Sequence, residues 1–283
     1  MPVKTLYEDA VRPAEPSLRG DLAHLYDGDL SFPDAARATA RPFIVGNFVQ
    51  TVDGVVSLKI PGHSGGGDIS GRNEYDAFIM GLLRASADAV MIGEETFRVG
   101  HGHLWTAEFV YPKLKDQFQA LRARLGKRPH PLNVIVSGMG TINLEQALFR
   151  QREVPSLVLT TQRGRERLRQ KYGEPLPADV KSLPGDILLD AADIATVLYR
   201  DYGVKLLLHE GGPTLFSGFL RQSLVDELFL TIAPQIAGRG VSSERPNFSG
   251  PLSLDVDKTL WGRLLSIKHA DTGHLFLRYR WTG

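Results

Sequence analysis

The sequence predicts an α/β protein built on one mixed sheet, and three observations carry that prediction. Short apolar runs, Ala89-Val90-Met91-Ile92, Leu132–Val136 and Val204–Leu208, stop at a glycine or a polar residue, as strands buried on both faces do. Stretches with apolar residues three and four apart lie between such runs, so β-α units repeat. Two late strand-like runs, 263–269 and 274–281, flank Ala-Asp-Thr-Gly and read as an antiparallel hairpin at the sheet edge.

Composition narrows the function classes. The 283 residues are 42% hydrophobic and 23% charged, ordinary for a soluble globular chain of one large domain or two small ones. A net charge of +1 gives no bulk electrostatic case for nucleic acid or an anionic membrane. No apolar stretch approaches a bilayer span and no apolar signal core opens the chain, so a cytoplasmic location is expected. The absence of cysteine excludes disulfides, thiolate catalysis and cysteine-based metal sites.

In chain order, residues 1–40 are rich in Pro, Ala, Asp and Arg and show little periodicity. They are expected to form an extension laid across the domain or a partner subunit, with Leu22, Leu25 and Tyr26 packing as one turn. The domain proper runs over 41–283. Pro42–Val49 reads as a strand, leading to a tight turn at Asp53-Gly54, where Asp53 has turn-forming as its plain role. Residues 61–71 hold too many glycines for an element and read as a mobile loop, either a connector or a site cover. Tyr75, Phe78, Ile79, Leu82 and Leu83 define a helix over 73–86, with Arg84 near its end suited to a surface salt bridge. A strand over 87–93 turns at Gly93 into a second helix. His101 and His103 stand two apart on a glycine-flanked loop, but with no carboxylate at helical spacing no metal site is expected. After the helix-like run 113–125 come strands at 132–136, 156–160 and 187–189, with a basic helix over 163–172. Asp190 caps a further helix that Gly203 closes, and a strand over 226–232 precedes the hairpin.

The stretch 204–219 carries the most chemistry. A buried strand ends at His209-Glu210, Gly211-Gly212 turn the chain, and Pro213 takes the first position of a helix with Leu215, Phe216 and Phe219 inward. A helix N-terminus without a capping side chain suits phosphate, although glycine also favours an ordinary strand-to-helix turn. Glu210 lies at the strand's carboxyl end, where open α/β sheets place their ligand crevice.

Several stretches together resemble the RibD C-terminal reductase family. They are Arg41-Pro42-Phe43 with Thr51-Val52-Asp53-Gly54, Leu82-Leu83-Arg84-Ala85 with Ala87-Asp88-Ala89-Val90, Gly93-Glu94-Glu95-Thr96, Glu210-Gly211-Gly212-Pro213-Thr214-Leu215, and Leu224-Val225-Asp226-Glu227-Leu228 running to Ile232-Ala233-Pro234. They occur in family order across about residues 41–281. The resemblance implies a dihydrofolate-reductase-like, mostly parallel mixed sheet flanked by helices, in a homodimer. It is to the stand-alone reductase form, since the family's deaminase half needs zinc-binding cysteines. It further implies NADPH, with the pyrophosphate over Gly211, Gly212, Pro213, Thr214 and Leu215, and Thr96 and Ser137 facing the cofactor. Ser137, or Thr161 with Arg163, is placed to meet the 2′-phosphate, the other reading of Arg163 being a solvated basic helix. Asp53, Arg84, Leu104 and Glu210 fall on the substrate side. The implied reaction opens the ribose ring of 5-amino-6-ribosylaminouracil 5′-phosphate to its ribityl form.

Two positions depart from the family. Asn47 stands where a lysine is usual in the first strand, and Ala107 where an arginine is expected on the substrate-phosphate side. A reductase of another substrate, such as a dihydrofolate-like pteridine, and a nucleotide-binding protein without turnover are therefore the competing readings. Asp53 and Glu210 are the candidates for proton transfer, and both are expected to converge on one crevice.

Overall fold

The structure is a computed structural model that describes residues 2–9, 16–34, 39–240 and 244–281. Among these, ten strands form one sheet in the order β1-β9-β10-β8-β2-β7-β3-β4-β5-β6. The central strand is Phe43–Thr51 (β2), which pairs in parallel with Leu206–His209 (β7) on one side and Glu227–Ala233 (β8) on the other. Ala89–Gly93 (β3), Leu132–Val136 (β4), Ser156–Thr161 (β5) and Val180–Leu183 (β6) extend the parallel part. The hairpin of Gly262–His269 (β9) and Leu275–Trp281 (β10) pairs antiparallel to β8.

The inner parallel strands are buried on both faces, so their side chains alternate between two cores. Val45, Val90, Ile92, Ile135, Val158 and Leu208 point to one, with Phe78, Ile79 and Leu82 of helix Glu74–Ser86 (α3). Ile44, Met91, Val134, Leu157 and Leu207 point to the other. There they meet the helices Ala191–Arg200 (α9) and Pro213–Arg221 (α10). Gly46 is needed at this second face, because a Cβ there would sit 2.6 Å from the Phe216 ring. Arg41 clamps Asp226 with two bonds of 2.8 Å, and Asp226 also accepts from Ile44 N at 2.6 Å, tying the starts of β2 and β8 together.

Four expectations change. The apolar triplet 187–189 is not a strand: Ile187 and Leu188 are exposed, and β6 is Val180–Leu183, paired in parallel to β5. An outer strand with one neighbour needs only a half-apolar pattern, which Val180-Lys181-Ser182-Leu183 has. The hairpin is not at the edge, because Lys4–Glu8 (β1) pairs antiparallel to β9. The first 40 residues thus contribute a strand to the same sheet, and Gly20–Tyr26 (α1) buries Leu22 and Tyr26 against the core; positions 10–15 and 35–38 lie outside the described residues. The glycine-rich loop holds one helical turn, Gly66–Ile69 (α2), with Ile69 buried.

Candidate active site

Parallel register brings the site together. Gly46 of β2 and Met91 of β3 both lie opposite His209 of β7, so the next residues, Asn47 and Glu210, emerge side by side at the carboxyl edge. They open into a cleft of about 890 Å³. Its walls include the 57–67 loop, one face of α3, the Thr96–Gly100 corner and the turn 210–214.

Arg84 and Glu210 form the polar centre. Arg84 donates from Nη2 to Glu210 Oε2 at 2.7 Å and from Nε to the two carboxylate oxygens at 3.1 and 3.3 Å. Their side chains are 2% and 8% exposed, so this is a buried bidentate pair and not the surface salt bridge expected of Arg84. Asn47 Nδ2 adds a bond to Glu210 Oε1 at 3.3 Å. Arg122 positions the guanidinium from behind: its Nη1 donates to the carbonyls of Arg84, Ala85 and Ala87 at 2.8–3.1 Å and so caps the end of α3. On the cleft side Arg84 Nη1 lies 3.0 Å from His103 Nε2. Burial, reinforced by the adjacent Arg84 charge, pushes the His103 pKa down to about 3, so the ring is neutral and Nε2 accepts.

The turn after β7 is glycine-dependent for two different reasons. A Cβ on Gly211 would meet His209 Cε1 and Leu215 Cδ2 at 2.9 Å, so its need is packing. Gly211 N–H is moreover committed to His209 Nδ1 at 3.2 Å, and it is unavailable to an anion. Gly212 has φ −65° and ψ 170°, and a Cβ there would meet only Thr96 Oγ1 at 3.7 Å. Gly212 is therefore open space facing the cleft, at the N-cap of a nine-residue helix that has no side-chain cap. The first-turn N–H groups of α10 and the positive end of its dipole suit an anion there.

Of the residues singled out from the sequence, Asn47, Arg84, Thr96, Glu210, Gly211, Gly212, Pro213 and Thr214 line this cleft. Leu215 packs on Gly93 and Gly211 instead. Leu104 is half-buried against the core behind the cleft wall. Ser137 and Thr161 are buried at other strand ends, with their hydroxyls used internally. Ser137 donates to Glu94 Oε2 at 2.7 Å, and Thr161 donates to Gly138 O at 2.7 Å while capping helix Gln162–Tyr172 (α8) at Gly164 N.

Asp53 departs most from expectation. It does not line the cleft with Glu210; it is exposed and accepts from Thr51 Oγ1 at 2.5 Å, Ala237 N at 3.1 Å and Gly238 N at 2.7 Å. These donors hold its pKa down to about 2, the Thr51 hydroxyl contributing most. A carboxyl so stabilised as an anion is a loop clasp and not a proton donor near neutral pH.

The sequence reading missed Lys59, Arg72, Asp76 and Met80, which also line the cleft. Asp76, Met80 and Arg84 recur at four-residue spacing along one face of α3. An acid inside the buried face of a helix was the available signal.

Residues 42–263 match the family described as RibD C-terminal domain. A 2,5-diamino-6-ribosylamino-4(3H)-pyrimidinone 5′-phosphate reductase of Aquifex aeolicus is 28% identical over 198 residues, covering 70% of this chain and 79% of that protein. The protein of the same name from Archaeoglobus fulgidus is 28% identical over 205 residues, covering 70% and 83%. A crystal structure of a pyrimidine reductase-like protein from Corynebacterium diphtheriae shares the fold with a TM-score of 0.67 at 23% identity, over 93% of this chain and 98% of that one. With the family pattern spanning the sheet from β2 into β9, the chain belongs to the RibD C-terminal domain family.

Proposed function

We propose that this chain is an NADPH-dependent reductase that converts a 5-amino-6-ribosylaminopyrimidine 5′-phosphate to its ribityl form. It is an oxidoreductase of the riboflavin-biosynthesis type, as its curated relatives are. The observation that carries the reading is the joining of two features in one cleft. The uncapped N-terminus of α10 opens beside the buried Arg84–Glu210–Asn47 cluster.

The space over Gly212 fits a cofactor pyrophosphate, lined by Pro213 and held by Thr214 and the free backbone N–H groups that follow Pro213 in the first helical turn, with Thr96 beside it. The cofactor supplies the hydride when bound; this chain supplies position and charge. Glu210, anchored by Arg84 and Asn47, is suited to accept hydrogen bonds from sugar hydroxyls. Where the family has cations at the positions of Asn47 and Ala107, Lys59 and Arg72 on the cleft wall are the groups offered to the substrate phosphate. With the Ser137 and Thr161 hydroxyls already used internally, exposed Arg163, in the first turn of α8 after β5, is the group offered to the cofactor's 2′-phosphate. A homodimer and a cytoplasmic location belong to the same reading.

The test is loss of reduced-nicotinamide absorbance with the 2-amino and the deaminated (uracil) forms of the substrate, using NADPH and NADH in parallel. NADPH oxidation with one of these pyrimidines is the expected result. Equal use of NADH removes the NADPH assignment, and no turnover of either pyrimidine removes the reductase reading.

A further inference from the structure

Asp76 is a buried ionisable group of the cleft wall with no role in the proposed hydride transfer. It is 7% exposed, lines the cleft, and lies two helical turns before Arg84 on α3. Its position three residues after the N-cap Asn73 is where a capping box places its acid. Yet Asn73 N donates to Ser70 O at 3.3 Å, so capping does not account for Asp76. Nor does an ion pair, since none joins it among the described residues. The Thr231 and Ser70 hydroxyls and the His274 and Glu210 side chains are the polar groups that act on its carboxyl, and burial raises its pKa. A carboxyl with two hydroxyls beside it has acceptor capacity to spare, and burying it at a cleft wall costs stability unless a ligand uses it.

Resting on the reductase reading, we propose that Asp76 reads the base of the substrate and selects a 2-amino-4-oxopyrimidine over its deaminated form. The edge of such a base farthest from the sugar presents two adjacent donors, the ring N3–H and the C2 amine, to which the two oxygens of one carboxylate are complementary. Deamination replaces the C2 amine by a carbonyl, so an oxygen then faces the carboxylate. One donor is lost and a repulsion is added, the pattern by which a buried polar group rejects a near-isostere. Charge placement agrees. Glu210 is already neutralised by Arg84, and the wall's other described cations, Lys59 and Arg72, remain for the phosphate.

The experiment measures binding, so it does not depend on turnover. 2,5,6-Triaminopyrimidin-4-one and 5,6-diaminouracil differ only at C2, and each is titrated calorimetrically into the NADPH-saturated parent and into Asp76→Asn. The parent is expected to bind the triamino base at least about tenfold more tightly, as one bidentate contact implies. In Asp76→Asn, whose amide offers one donor and one acceptor, that preference is expected to disappear while NADPH affinity stays within about twofold. Equal binding of the two bases by the parent overturns the proposal even if the variant fails to fold. An unchanged preference in a folded Asp76→Asn overturns it too. Failure of the reductase reading appears separately, as absence of turnover in a parent that still discriminates between the bases.

Discussion

Replacing Glu210 by Gln keeps the shape of the site's central side chain and removes its charge. Arg84 then keeps a full positive charge at 2% exposure, with His103 neutral beside it and no second described carboxylate bonded to it. Of the three Arg84–Glu210 contacts at 2.7–3.3 Å, the amide oxygen can retain some, but the new NH2 group opposes a donor. Breaking a buried pair from one side costs about 3–5 kcal/mol, and the retained acceptor puts this case near about 3 kcal/mol. For a chain of this size that corresponds to a fall in Tm of roughly 6–12 °C. Calorimetric unfolding of the parent, Glu210→Gln, Arg84→Met and the double variant closes a cycle. The double variant is expected to lose less than the two single losses together, by about 1–3 kcal/mol. A Glu210→Gln Tm within about 1 °C of the parent, together with zero coupling, would refute the pair's role as the anchor of the cleft.

Further outcomes follow from the same geometry. Gly212→Val should fold with a Tm near the parent's, since φ is −65° and only Thr96 Oγ1 is close, yet lose NADPH binding in a fluorescence titration; Gly211→Ala should instead lower the Tm, because its Cβ meets two side-chain atoms at 2.9 Å. Asp53→Asn should leave NADPH affinity unchanged and lower the Tm at neutral pH. Because the folded-state pKa of Asp53 is depressed from 3.8 to about 2, its contribution is complete above the unfolded value and is lost as pH falls through that window, so the Tm gap between parent and variant should close between about pH 4 and pH 2. Arg72→Gln should raise KM about tenfold for the 5′-phosphorylated pyrimidine and leave the dephosphorylated one unaffected in steady-state assays, an equal effect on both speaking against a phosphate contact.

The parallel half of the sheet was legible because its strands are buried on both faces and must be apolar throughout. Leu206–Leu208, Ala89–Ile92 and Val134–Val136 have no other place to go. The outer strands lack that constraint. Lys4–Glu8 is mostly exposed and is held by backbone pairing to β9, so its side chains carry almost no signal. The same logic misplaced β6. Ile187 and Leu188 look more strand-like than Val180–Leu183, but exposed apolar residues cover a neighbouring turn here, with Ile187 O occupying the space next to Gly138.

In the site, what could be read was whatever a local pattern forces. The turn Gly211-Gly212-Pro213 announces a strand-to-helix corner, and strand ends at adjacent positions of a parallel sheet must share an edge. Asp53 shows where that reasoning stops. Thr51-Val52-Asp53-Gly54 also ends a strand, but whether its carboxylate turns into the crevice or away depends on the loop it meets. The partners that decide it, Ala237 and Gly238, are more than 180 residues away. Asn47 and Glu210 have no such freedom. Their side chains follow the Gly46–His209 register, and a slip of one residue would turn one of them into the sheet's opposite face. In that register the neutral amide of Asn47 adds a donor to Glu210, beside the Arg84 guanidinium, without adding charge.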